Sequence, residues 1–74
     1  MRYHETYSQE IKKIGRDDIS KKIKVFFLSG RIEEYYHVPD DVFTEFMKAP
    51  ARSKLNHLRT HITNQYKTNI LAEG

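Results

Sequence analysis

Two histidines near the C-terminal end are the residues whose type and spacing could most readily do chemistry. His57 and His61 stand four positions apart, so in a helix they share one face and could bind a divalent metal ion. The sequence supplies no third ligand beside them, and we therefore predict no metal site. Together with Lys54 and Arg59 they could instead act as acid, base and phosphate clamp in a metal-independent ribonuclease.

Motifs for cofactor chemistry are not found in the sequence. It contains no glycine-rich phosphate loop, no dinucleotide fingerprint and no nucleophile placed beside a base. We therefore predict a non-enzymatic protein without catalytic residues or cofactors, and keep the ribonuclease, a toxin-like activity, as an alternative.

A second set of candidate residues lies on the strand predicted in RIEEYYHVPDDVF, residues 31–43. Alternation along a strand places Arg31 and Tyr35 on one face and Ile32 and Tyr36 on the other. We predict that Tyr36 faces the core and that Tyr35 faces outward. An exposed tyrosine beside an arginine can stack on a nucleic-acid base while the cation meets a phosphate. A second subunit covering the same face would explain the pattern equally well.

The positive charge of the chain is concentrated at its C-terminal end. The net charge is +3, and residues 49–74 carry four Lys or Arg against Glu73 alone. A localised basic element favours an anionic partner such as RNA or a nucleotide, although a solvated helix face has the same composition. The predicted ligand-binding residues are Arg31, Tyr35, Arg52, Lys54, His57, Arg59, His61 and Lys67.

Three strands are predicted ahead of this basic element. One covers Ser8 to Arg16, after a loose lead-in at residues 1–7, and the clearest one alternates Ile23, Val25 and Phe27 with lysines. Ser29-Gly30 is predicted to be a two-residue turn, and the third strand covers residues 31–38.

Two helices are predicted after Pro39, which ends the last strand. Asp40 is the predicted N-cap of the first, which continues to Ala49-Pro50. The second covers residues 53–67, with Leu55, Leu58, Ile62 and Tyr66 facing the core and Lys54, His57, His61 and Asn64 facing solvent. The predicted fold is therefore α+β, a three-stranded antiparallel sheet followed by two helices packed on one face, in a single small domain of residues 1–74 with its core at about 8–67.

Size and composition favour self-association. A chain of 74 residues without cysteine buries a limited core and can form neither a disulfide nor a thiolate zinc site, so we expect a homo-oligomer. No apolar run approaches the roughly 20 residues that cross a bilayer, and the N-terminus lacks the apolar region of a signal peptide. We expect a cytoplasmic protein with no membrane partner.

The order of these segments resembles the KTSC domain, a family of small modules named for the C terminus of some lysyl-tRNA synthetases and also found as free-standing bacterial and phage-type proteins. The resemblance rests on segments 14–17, 23–27, 38–43 and 49–53, on Gly30 before the tyrosine-bearing strand, and on Ile62 with Tyr66. It implies a compact α+β module suspected of binding RNA, with no catalytic residue. The family's Tyr-x-Tyr falls on Glu33 and Tyr35, so its first aromatic residue is missing in this chain.

These observations lead to one functional expectation and an alternative. We expect a binding module that recognises RNA or a nucleotide through a basic C-terminal helix and an aromatic strand face, as a homo-oligomer. The alternative is a phage-type anti-defence protein that sequesters a host signalling nucleotide or blocks a host protein.

Overall fold

The computed structural model describes residues 1–6, 8 and 10–74, and shows one antiparallel sheet with two helices. In chain order the elements are β1 (Arg2–Glu5), β2 (Ile11–Asp17), β3 (Lys22–Phe27), β4 (Arg31–Tyr35), α1 (Asp40–Lys48), α2 (Ala51–Leu58), a π-helical turn (Arg59–Thr63) and β5 (Thr68–Glu73). The five strands lie side by side in sequence order, and β5 returns to the sheet beside β4 after the helices.

The α+β class is confirmed, but the prediction of three strands is wrong. The segment expected to be a loose lead-in forms β1, and the segment after the helices forms β5. Both are edge strands whose side chains are mostly exposed, so they lack the apolar alternation that reveals a half-buried strand. The strand predicted from Ser8 to Arg16 is confirmed from Ile11 to Arg16 and continues one residue further, to Asp17. Gln9 in it, and Tyr7 in the predicted lead-in, lie outside the described residues.

The register of the β3–β4 hairpin reverses the predicted orientation of the two tyrosines. Ile23 pairs with Tyr35, and Val25 pairs with Glu33, so the connecting loop has three residues, 28–30, rather than two. Gly30 adopts a φ of +96° in this loop, as three-residue hairpins require. A shift of one residue moves every side chain of a strand to the other face.

Tyr35 therefore faces the core and is fully buried, whereas Tyr36 is half-buried on the other side of the sheet. The prediction of an outward Tyr35 and an inward Tyr36 is wrong. Beyond the strand, His37 has a φ of +56°, and this left-handed residue redirects the chain so that Val38 is buried as well.

The core lies between one face of the sheet and the helices. Its buried apolar side chains are Ile11, Ile14, Ile23, Val25, Phe27, Tyr35, Val38, Phe46, Leu58 and Ile62. The predicted inward positions on β3 and at Leu58 and Ile62 are confirmed, and Leu55 and Tyr66 pack against the same core. The opposite face of the sheet, which we call the open face, is not covered by any described element.

Lys54 is buried, contrary to the prediction that it faces solvent. Its Nζ donates hydrogen bonds to the carbonyl oxygens of Phe46 and Met47, both at 2.9 Å. Both are among the last carbonyls of α1, which lack the next helical turn as a donor; that of Phe46 also accepts the backbone N–H of Ala49 at 3.2 Å. Burial lowers the pKa of Lys54, and its ammonium joins α2 to the C-terminal end of α1.

The boundaries of both helices also differ from the prediction. α1 begins at Asp40, with Pro39 in the N-cap position. The Asp40 carboxylate accepts hydrogen bonds from Lys21 at 2.9 Å and Arg16 at 2.8 Å. Both bonds lower the pKa of Asp40, and the bond from Lys21 has the larger effect. The predicted second helix is regular only to Leu58 and then continues as the π-helical turn. No helix of the described residues is long and apolar enough to cross a membrane.

Candidate functional site

The open face carries aromatic rings and lysines. The paired residues Lys13–Phe26, Lys24–Glu34 and Phe26–Ile32 lie on this face. Their neighbours along the chain, Ile14, Ile23 and Val25, are buried on the opposite face. The side chains that define the candidate site are Tyr3, Lys13, Lys22, Lys24, Phe26 and Tyr36.

Gly15 makes room for the ring of Tyr3 on the sheet. The two residues are paired between β1 and β2. A Cβ at Gly15 would lie 2.9 Å from a ring carbon of Tyr3 and 2.8 Å from Sδ of Met1, closer than van der Waals contact. A glycine within a strand marks such a close approach. The Tyr3 side chain therefore lies across β2, with 52% of the residue's surface exposed.

Tyr3, Phe26 and Lys13 form a compact cluster at one end of the open face. The two rings meet edge to face with centroids 5.9 Å apart. Nζ of Lys13 lies 5.0 Å from the centroid of Tyr3 and 4.7 Å from that of Phe26. This is cation–π geometry, which holds an ammonium group beside two rings without neutralising it. Lys13 forms no ion pair with the described residues, although Glu5 lies opposite it on β1.

The other end of the open face has the same composition but is partly neutralised. Nζ of Lys22 lies 5.9 Å from the ring centroid of Tyr36. Glu34 lies 3.8 Å from Nζ of Lys24 and 4.0 Å from that of Lys22. It also accepts a 2.6 Å hydrogen bond from the Tyr36 hydroxyl, which raises the pKa of that tyrosine.

Three of the predicted binding residues instead converge on the buried carboxylate of Glu33. Nε of Arg31 donates to Oε2 at 2.6 Å, while Arg59 donates to Oε1 at 2.6 Å and to Oε2 at 3.0 Å. The Tyr35 hydroxyl also donates to Oε1 of Glu33. The hydroxyl of Thr63 lies 3.3 Å from the hydroxyl oxygen of Tyr35. We call these five residues the Glu33 cluster. It joins β4 to the π-helical turn.

The Glu33 cluster is electrostatically strong. Burial alone would raise the pKa of Glu33, but the hydrogen bonds from Arg59, Arg31 and Tyr35 lower it to about 2. Burial, followed by the bond to Glu33, raises the pKa of Tyr35. A tyrosine that is fully buried and bonded in this way cannot stack on a base, so Tyr35 is removed from the candidate site.

His57 and His61 line a cavity of about 530 Å³ between α1 and the segment formed by α2 and the π-helical turn. Their ring centroids are 4.4 Å apart. Burial is the main cause that lowers the pKa of His57, and the nearby charges of His61 and Lys54 lower it further. The negative charge of Glu45 acts in the opposite direction and raises it. Asp41 and Glu45 form the facing wall. No group of three metal ligands occurs among the residues that the structure describes.

The predicted ligand-binding residues therefore do not form one surface. Lys54 and the Glu33 cluster hold the fold together, the histidines line their own cavity, and Arg52 and Lys67 are exposed at separate places. None of the six residues that define the candidate site on the open face was among the predicted binding residues. The sequence did contain a sign of the position of Phe26. Side chains alternate along a strand, so Phe26, next to the inward Val25, lies on the same face as the lysines of β3.

Comparison with known proteins gives a family and a fold. The family model described as the KTSC domain matches residues 7–66. Among solved structures, the chain is similar to a KTSC domain protein from Yersinia pestis, with 22% identity, 96% of this chain and 97% of that chain covered, and a TM-score of 0.81. That likeness concerns the fold. No curated protein matches the chain.

Proposed function

The chain belongs to the KTSC domain family, as its sequence resemblance predicted, and on that premise we propose that it binds single-stranded RNA on the open face of its sheet. The observation that carries the proposal is the arrangement of Tyr3, Phe26 and Lys13, an ammonium group held beside two rings. Rings of this kind stack on bases, and lysines beside them neutralise the phosphates.

The order of side chains along the hairpin supports an extended ligand. On the open face, Phe26 lies beside Ile32 and Lys24 beside Glu34; continuing the register places Lys22 beside Tyr36. Four residues of strand separate the level of Phe26 from that of Tyr36, which is about 13 Å at roughly 3.3 Å per residue. Two aromatic positions, with Lys24 between them and Lys22 beside the second, suit a strand of several nucleotides better than one mononucleotide.

The cavity at His57 and His61 suits a phosphate poorly. Its volume of about 530 Å³ is within the usual range for small ligands. However, Asp41 and Glu45 form one wall, and their negative charge repels phosphate groups. We therefore propose that the RNA lies on the sheet. The alternative, a nucleotide bound in the cavity beside the two histidines, must be distinguished from it by experiment.

Binding can be tested by fluorescence anisotropy with a labelled single-stranded RNA of about ten nucleotides, within the usual site size of such proteins. Tyr3→Ala removes one stacking ring and should weaken binding about 5- to 150-fold, which corresponds to roughly 1–3 kcal/mol per stacked base. Tyr3→Phe keeps the ring and should bind within about threefold of the wild type, since the stacking surface is unchanged.

The lysines can be tested through the dependence of binding on salt. Lys13→Ala should reduce the slope of log K against log salt by about 0.7, the value for one phosphate of a single strand. Lys48→Ala is the matched control, because Lys48 is exposed on α1, away from the sheet, and should leave the slope unchanged. Equal effects of both lysine substitutions, or equal affinities for Tyr3→Ala and Tyr3→Phe, would refute the proposal.

A further inference from the structure

The cavity beside His57 and His61 is acidic, in contrast to the chain as a whole. The chain carries a net charge of +3, yet the described residues that line the cavity include two carboxylates and neither lysine nor arginine. The volume of about 530 Å³ is that of a site for a small organic ligand. Since the described residues contain no group of three metal ligands, the lining favours an organic cation over a metal ion.

The two carboxylates lie on one face of α1. Asp41 and Glu45 are four residues apart, so their side chains are neighbours and repel each other. Asp41 lies in the first turn, where the helix dipole favours a negative charge, but Glu45 lies in the second half of the helix, where it does not. Lys48 lies 3.9 Å from Glu45, but both are exposed, and such a pair contributes little. One cation bound between Asp41 and Glu45 would remove their repulsion.

The facing wall presents flat rings. The ring of His57 stacks on the fully buried ring of Phe46, with centroids 6.1 Å apart and planes inclined by 25°, and this contact fixes its position. Burial lowers the pKa of His57, so its imidazole is mostly neutral at pH 7 and can accept a hydrogen bond from a cation. The ring of His61 lies beside it, and Tyr66 adds an aromatic side chain to the lining.

We propose that this cavity binds a guanidinium group, the head group of arginine and its derivatives. A guanidinium is planar, offers its donors in a fork that matches carboxylates and stacks on aromatic rings, whereas an ammonium is a compact and strongly hydrated point charge. Two neighbouring carboxylates opposite a wall of rings therefore suit the guanidinium better. Val42 also lines the cavity and can contact the carbon stem that carries the head group. The cavity lies on the helical side of the sheet, so this binding does not depend on RNA at the open face.

The ligand can be tested by NMR titration of the ¹⁵N-labelled chain with N-acetyl-arginine amide. A dissociation constant of about 1 mM is expected for a molecule of this size, with amide shifts at Asp41, Glu45 and His57. The matched control is N-acetyl-citrulline amide, which has the same shape without the charge and should bind about tenfold more weakly. N-acetyl-lysine amide should bind about threefold more weakly. Equal affinities for the arginine and citrulline compounds or for the arginine and lysine compounds, or no shifts in the cavity at about 10 mM ligand, would overturn the proposal.

A further compound distinguishes the two sources of the head group. Propylguanidine has the side chain of arginine without the peptide groups. An affinity within about threefold of that of N-acetyl-arginine amide indicates a free small molecule, whereas a loss of about tenfold indicates the arginine residue of a polypeptide, whose peptide groups add contacts. Both results support a guanidinium site, and they differ only in what carries the guanidinium.

Substitutions in the wall test the location of the site. Asp41→Asn and Glu45→Gln each remove one charge from an exposed residue and should each weaken binding of N-acetyl-arginine amide about tenfold. The matched control is Glu73→Gln, which removes the same charge at the end of β5, outside the lining, and should change the affinity less than about twofold. Equal losses in Glu45→Gln and Glu73→Gln would overturn the cavity as the site. RNA binding by Glu45→Gln should stay within about twofold of the wild type, so failure of this proposal and failure of RNA binding are distinguishable.

Discussion

The Glu33 cluster predicts a defined loss of stability in acid. Glu33 is 1% exposed, and its pKa falls from an ordinary value of 4.5 to about 2 in the folded protein. One pKa unit corresponds to about 1.36 kcal/mol, so the ionised carboxylate contributes about 3 kcal/mol to the free energy of unfolding at pH 7. Because the folded pKa is depressed, this contribution is complete above the unfolded pKa and is lost as pH falls through the folded one. At pH 3, only about 1 kcal/mol remains.

The assay compares wild type with Glu33→Gln in urea unfolding at pH 7 and at pH 3. Glutamine does not titrate, so the other carboxylates contribute equally to both proteins and cancel in the difference. We expect Glu33→Gln to be less stable by about 3 kcal/mol at pH 7, because two guanidinium groups lose their carboxylate, and the difference should shrink by about 2 kcal/mol at pH 3. A difference that is independent of pH would refute the reasoning. If Glu33→Gln does not fold at pH 7, Tyr35→Phe keeps the ion pairs and should cost about 1–2 kcal/mol.

Three further predictions concern single positions. Lys54→Ala should lower the free energy of unfolding by about 2–3 kcal/mol, since two carbonyls of α1 lose a charged donor; in urea unfolding the exposed control Lys48→Ala should change it by less than about 0.5 kcal/mol. Gly30→Ala should lower the free energy of unfolding by about 1–2 kcal/mol because φ is +96° at this position. An unchanged melting temperature would contradict the hairpin geometry. Gly15→Val should displace the ring of Tyr3 and weaken RNA binding as much as Tyr3→Ala does, whereas wild-type affinity would contradict the close approach described above.

Patterns that depend on near neighbours in the chain were predicted correctly. Ile23, Val25 and Phe27 alternate with lysines, and this alternation alone identifies their face. Leu58 and Ile62 identify the inner side of their helix in the same way. The faces of β4 depended instead on the length of the preceding loop, because one residue more or less exchanges Tyr35 and Tyr36.

Features decided by distant contacts could not be predicted in this way. β1 and β5 are held to the sheet by backbone bonds, which leave little trace in the side-chain pattern of an edge strand. Lys54 is buried because the carbonyls of a different helix accept hydrogen bonds from its ammonium group, and the helical periodicity around it contains no sign of that contact. Tyr3 belongs to the candidate site because β1 pairs with β2, so it could not be assigned until that strand was known.

The most direct test of RNA binding on the open face is an NMR titration of the ¹⁵N-labelled protein with single-stranded RNA. We predict that amide shifts change at Tyr3, Lys13, Phe26 and Tyr36, which lie on the open face, while those at His57 remain in place. Shifts confined to the cavity of His57 and His61, or no shifts at all under low salt, would contradict the proposal.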